Sequence, residues 1–170
     1  MPTFLALPAM LVFPLLMAYA AFSDLLTMRI SNRFILVLVG AFFVLSLLAG
    51  FSLELIGLHV ASAVLVLAIS FALFSFGWIG GGDAKLIAAT TLWLGFSSML
   101  PYLVYASLLG GALTLSLLAV RRWPLPLPLK QVVWIDRLHD AKTGVPYGIA
   151  LAAAGLLVYP SSLMFERLLG

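Results

Sequence analysis

Six long apolar runs divide the chain, at roughly 3–23, 34–50, 58–78, 84–99, 101–120 and 146–164. Most approach the roughly 20 residues that carry a helix across about 30 Å of hydrocarbon. In lipid, backbone N–H and C=O groups must be satisfied within the segment or within a closed barrel. Barrel strands alternate apolar and polar residues, and these runs do not alternate. Composition points the same way, with 64% hydrophobic and 9% charged residues, where soluble domains carry about a quarter charged. The runs therefore imply an all-α integral membrane protein, a bundle of six transmembrane helices forming a single domain over residues 1–170. Its immediate partner is the lipid bilayer. The first run has no basic segment before it and is long enough to span, so it reads as a retained helix rather than a signal peptide. Pro8 and Pro14 are tolerated there as kinks.

Orientation follows from the basic residues of the short loops. Arg29, Arg33, Lys85, Arg121, Arg122, Lys130, Arg137 and Lys142 fall on one side, and only Arg167 falls on the other. The first side is then cytoplasmic, and both termini lie on the non-cytoplasmic side. The longest polar connection is a cytoplasmic loop over 121–145, which begins with alternating Pro124, Pro126 and Pro128. Its later part has the pattern of a short amphipathic helix, with Trp134 as an interfacial anchor. These basic residues are dispersed among the loops and do not form a nucleic-acid patch. The chain has no cysteine, which excludes disulfides, a cysteine nucleophile and a cysteine-based zinc site.

The acidic residues are not equivalent. Glu54 and Glu166 read as solvated charges of the outer side. Asp136 and Asp140 read as part of a locally paired loop beside Arg137, His139 and Lys142, and His59 as an interfacial residue opening the third run. Asp24 lies near the cytoplasmic end of the first run, where a short carboxylate cannot snorkel and a helix C-terminus disfavours an anion. Asp83 follows Gly80, Gly81 and Gly82 at the start of a run too short to cross hydrocarbon from surface to surface. This places irregular glycine backbone at membrane depth and Asp83 as the cap of the fourth helix, at the rim of a wet cavity. The hairpin between the two aspartates can bring them together. Two carboxylates sharing a proton can activate water against an amide carbonyl while protonating the carbonyl oxygen. Helix-end electrostatics assign the base to Asp83 and the acid to Asp24. Lys85 is either an interfacial positive-inside residue or a group that tunes Asp83 and holds substrate.

Three motifs carry a family resemblance. "GGGDAKL" resembles the G-x-G-D motif of the type IV prepilin peptidases, through Gly80, Gly82 and Asp83, with Lys85 two residues on. "SDLLTMRISN" is similar to the family's first motif, through Asp24, Ile30 and Asn32, with Ser31 where the family often has Pro. "VPYGIALAAAG" resembles the last-span motif through Pro146 and Gly148. The resemblance implies an intramembrane aspartic endopeptidase with Asp24 and Asp83 as catalytic residues. Gly80, Gly82, Lys85, Asn32, Pro146 and Gly148 are then supporting residues, and neither metal nor cofactor takes part. The implied partner is the hydrophobic helix of a prepilin or pseudopilin, whose basic leader is cut at the cytoplasmic face of the inner membrane. Without a cysteine-rich cytoplasmic insert, the chain resembles the short, peptidase-only form of Flp/Tad pilus systems, which implies no methylation activity. Archaeal preflagellin peptidases share the two-aspartate plan. A small transporter or proton relay is the alternative from another class, since intramembrane acids mark ion paths and glycine-broken helices occur in transporters.

Overall fold

Serine before an apolar run is a helix start, and glycine after one is a helix stop. The computed structural model describes residues 3–169 and follows both rules. Met1, Pro2 and Gly170, the ends of the expected domain, lie outside the described residues. Helix α1 covers Thr3–Thr27, α2 Asn32–Leu48, α3 Leu53–Ser75 and α4 Gly81–Val120. Short helices α5 (Leu127–Lys130) and α6 (Val133–His139) follow, then α7 (Tyr147–Val158) and α8 (Leu163–Leu169). Ser31 and Ser52 cap α2 and α3, their hydroxyls accepting the N–H of Phe34 and Leu55, each at 3.2 Å. Gly50 and Gly77 end the same helices in the left-handed region, at φ 73° and 74°. The N–H groups of Phe51 and Trp78 then reach back to the carbonyls of Ser46 and Leu73, which closes the last turn of each helix.

The described residues contain no strand, and the architecture is all-helical. Ala6–Thr27, Leu53–Ser75 and Gly81–Val120 are long and apolar enough to cross a membrane. A fourth candidate is the pair Tyr147–Ser161 and Leu163–Leu169, bent by 53° where the last apolar run reads as one span. The other expected spans fall on α2, shorter at 17 residues, and on the two halves of α4. Pro8 and Pro14 are accommodated inside α1. Helices α5 and α6 occupy the region expected as a loop with a short amphipathic helix, and Trp134 is half-buried.

Pro101 separates two apolar runs in the sequence, yet it lies within α4. The break comes earlier, at Gly95, whose φ of 68° and ψ of −177° belong to a region open essentially to glycine alone. A straight helix of this length would extend roughly 60 Å, twice the hydrocarbon thickness. Asp83 and Ile87 instead line one cavity with Leu103, Ala106 and Ser107, so the two halves run back alongside each other.

A helix broken in the interior leaves carbonyls without partners. His59, read from sequence as interfacial, is only 3% exposed and its Nδ1 meets the Leu92 carbonyl at 2.8 Å. It stacks on Phe42 at 5.4 Å. Trp93, on the same turn, donates from its indole N–H to the Leu38 carbonyl of α2 at 3.0 Å. The core forms around this break, with Phe13 of α1 against Trp93 at 5.1 Å and against Tyr159 at 4.6 Å.

A Cβ at Gly95 would lie 2.8 Å from Cε1 of His59, on top of a backbone strain of about 1–3 kcal/mol. Gly95→Ala is therefore expected to lower the thermal midpoint in detergent by about 5 °C or more. An unchanged midpoint would show that the turn does not depend on this glycine.

Candidate active site

Helix α1 continues past the expected end of its apolar run, and Asp24 occupies its last turn, with its carbonyl accepting the Met28 N–H at 2.8 Å. The side chain is 5% exposed. A buried carboxylate needs hydrogen-bond donors, and one comes from a distant part of the chain. The N–H of Gly148 donates to Oδ2 of Asp24 at 2.7 Å. Gly148 is the second residue of α7, whose N-cap, Pro146, makes no side-chain cap hydrogen bond. Asp24 thus caps α7 from another helix, a charge-assisted bond at a positive helix end. A Cβ at Gly148 would stand 2.8 Å from Oδ2 and 2.9 Å from Cβ of Asp24. The glycine of this motif is where two helices touch through a carboxylate.

Asp83 stands at the third position of α4, and Gly80 is the N-cap. Asp83 is therefore one turn inside the helix, not its cap. Its carboxylate folds back over the cap, so that a Cβ at Gly80 would lie 2.8 Å from Oδ2. This is the acidic half of a capping box. The glycine run is also more regular than expected. Gly81 and Gly82 are helical, and the left-handed glycine of this connection is Gly77. The run serves close approach instead: a Cβ at Gly82 would come within 3.3 Å of Ile30 Cβ, and one at Gly81 within 3.2 Å of Phe74.

Asp24 and Asp83 line one cavity of about 380 Å³, together with Arg29, Ile30, Gly80 and Gly144. A second cavity of about 680 Å³ shares Gly80, Asp83, Gly144 and Val145 with the first and extends between Ile87, Leu103 and Leu151. Asp83 thus lies where a smaller, more polar space meets a larger, mainly apolar one. The turn after α1 forms part of the first wall. Its Met28 has φ 52°, uncommon for a residue with a Cβ. The hydroxyls of Ser23 and Thr27 both donate to the Arg29 carbonyl at 3.2 Å.

The remaining expected residues separate into two groups. Pro146 and Gly148 position the N-terminus of α7 at Asp24. Lys85 and Asn32 meet each other, Nζ donating to Oδ1 at 2.8 Å, and so tie α4 to the first turn of α2. Two residues along a helix, Lys85 points well away from Asp83. Asp136 and Asp140 are exposed, as a solvated loop requires. Sequence reasoning missed the contribution of Gly144 and Val145 to both cavities. Their only local signal was adjacency to the last motif. Among the described residues, no group of three or more His, Cys, Asp or Glu side chains could hold a metal ion.

Helix-end electrostatics no longer separate the two aspartates. Asp83 lies in the first turn of α4, and Asp24, at the C-terminal end of its own helix, faces the N-terminus of α7. Both carboxylates meet a positive helix end. Two such groups on one cavity can divide proton donation and acceptance between them.

Helices of membrane-crossing length thus bring two carboxylates from different parts of the chain to one cavity. The family model described as the type IV leader peptidase family matches residues 11–115, more than half of the chain. The chain belongs to that family and is a peptidase of the membrane. No curated protein and no solved structure matches it significantly. The matched region contains Asp24 and the glycine–aspartate motif. Pro146 and Gly148 lie beyond it and rest on their own geometry.

Gly148→Ala should test that geometry. Alanine is the better helix former by about 1 kcal/mol, but its methyl group would occupy the space of the Asp24 carboxylate. Peptidase turnover is expected to fall at least about tenfold without a gain in thermal stability. Turnover at the wild-type level would separate the Asp24–Gly148 contact from activity.

Proposed function

We propose that this chain is a membrane-embedded aspartic endopeptidase that removes the basic N-terminal leader from prepilins or pseudopilins at the cytoplasmic face of the inner membrane. The observation that carries the reading is the convergence of Asp24 and Asp83, from α1 and α4, on one cavity. In the proposed reaction one carboxylate takes a proton from water as the water attacks the scissile carbonyl. The other donates its proton to the carbonyl oxygen, and collapse of the tetrahedral intermediate releases the new amine as it is protonated. Membership of the leader peptidase family supports the reaction class. The paired cavities support the substrate class, since a leader followed by a hydrophobic helix needs a polar and an apolar space on either side of the cut bond. The reaction as proposed needs no cofactor.

The same reading has six membrane crossings with both termini outside. Helix α4, broken at Gly95, supplies two of them: its second half is long enough to cross, and its short first half, about 20 Å, starts below the membrane surface at the glycine run. The loop side, which carries eight of the nine Lys and Arg residues, then faces the cytoplasm. The lack of cysteine leaves the short, peptidase-only form of Flp/Tad systems as the proposed type.

The test is leader removal from a co-expressed Flp-type prepilin, read as a mobility shift, for wild type, Asp24→Asn and Asp83→Asn. Asparagine at 24 retains an acceptor for the Gly148 N–H, so insertion and abundance should stay near wild type. Each variant is expected to lose cleavage by at least about a thousandfold, as removal of one member of an acid–base unit does. Substantial cleavage by either variant overturns the dyad. A wild-type chain that leaves the leader on favours an ion-path role for the same aspartates.

A further inference from the structure

Arg121 is the C-cap residue of α4, and in the sequence it is one of several basic residues on the loop side. Its guanidinium has a more specific task. Nε donates to the Leu138 carbonyl at 2.9 Å, and Nη2 donates to the Gly144 carbonyl at 2.9 Å and to Thr143 Oγ1 at 3.4 Å. The Thr143 hydroxyl bonds onward to the carbonyls of Arg137 and Asp140, the latter at 2.7 Å. Arg137 in turn donates from Nη1 to the Leu26 carbonyl at 2.9 Å, two residues from Asp24. The segment 137–145 is thereby fastened to α1 at one end and to α4 at the other. Its last residues, Gly144 and Val145, line both cavities that meet at Asp83.

We propose that Arg121 is a positioning residue that holds the 143–145 segment in place as the shared wall of the two substrate cavities. The proposal rests on the peptidase reading for its kinetic part. Three acceptors in different directions require the planar fork of a guanidinium, and a lysine ammonium can serve at most part of the set. Lysine preserves the charge that orients the loop side. The conservative exchange therefore separates anchoring of the wall from topology.

The experiment compares wild type, Arg121→Lys and Thr143→Val, each reconstituted as the full chain in vesicles with an Flp-type prepilin. Arg121→Lys should insert and accumulate as wild type does. Its KM should rise about tenfold or more, the scale of losing one or two hydrogen bonds to a charged group. Its kcat should stay within about threefold, because Asp24, Asp83 and the Gly148 contact are untouched. Amide hydrogen exchange over 138–145 should quicken by about tenfold in the same variant. Thr143→Val removes no charge and should raise KM in the same direction. Wild-type kcat/KM in Arg121→Lys, a loss in kcat at unchanged KM, or unchanged exchange overturns the proposal. If Arg121→Lys fails to accumulate, unchanged KM in Thr143→Val overturns it instead. Hydrogen exchange needs no substrate, so a wild-type chain that leaves the Flp-type prepilin uncut sinks the prepilin reading alone, while faster exchange still upholds the anchoring.

Discussion

The hydrogen bond from Gly148 to Asp24 joins residues 124 positions apart, and much of the site depends on it. A carboxylate in an apolar bundle needs donors, and a helix that begins at proline needs an acceptor for its first N–H groups. Each supplies what the other lacks. The bond also requires that α1 and α7 approach without a Cβ at 148, and the approach continues along the helices. Gly155, two turns further on, packs against Phe13 and Met17 of α1 and against Thr90 of α4. The contact that orients Asp24 is thus continuous with the packing of three helices.

Asp83 reaches the same cavity by a different route. The first half of α4 is short because Gly95 turns the chain back, and His59 and Trp93 secure the turn through the carbonyls of Leu92 and Leu38. The break lets Ile87 and Leu103, from the two halves of α4, line one mainly apolar space together with Asp83. At the other end, Gly82 admits Ile30 from the turn after α1. The glycines of the motif therefore hold the two aspartate-bearing segments close, and their value is the absence of a side chain rather than an unusual backbone conformation.

Much of the candidate site was legible because membranes tolerate few polar residues. In a chain this apolar, two carboxylates at the ends of apolar runs are conspicuous, and three consecutive glycines beside one of them more so. The caps at Ser31 and Ser52 and the helix stops at Gly50 and Gly77 act only on their immediate neighbours, and they emerged with the structure. The role of Asp83 within its helix was misplaced by one turn, since only backbone angles distinguish a cap at Gly80 from one at Asp83. Ser31 has a φ of −74° and adds a side-chain cap.

Sequence alone determined that the chain is helical and membrane-bound, because lipid leaves the backbone no other partner than itself. It also singled out Asp24 and Asp83, because charge in that solvent is costly wherever it stands. Tertiary structure decided the rest. It set the break of α4 at Gly95 rather than near Pro101, since a proline can be absorbed in a helix while a residue at φ 68° cannot continue one. It buried His59, which a local pattern places at an interface, because an orphaned carbonyl of α4 lay opposite. It joined Lys85 to Asn32 and Arg121 to the segment before α7. Those contacts depend on which groups are brought within 3 Å of one another by helices far apart in the chain, and hydropathy and spacing carry no record of that.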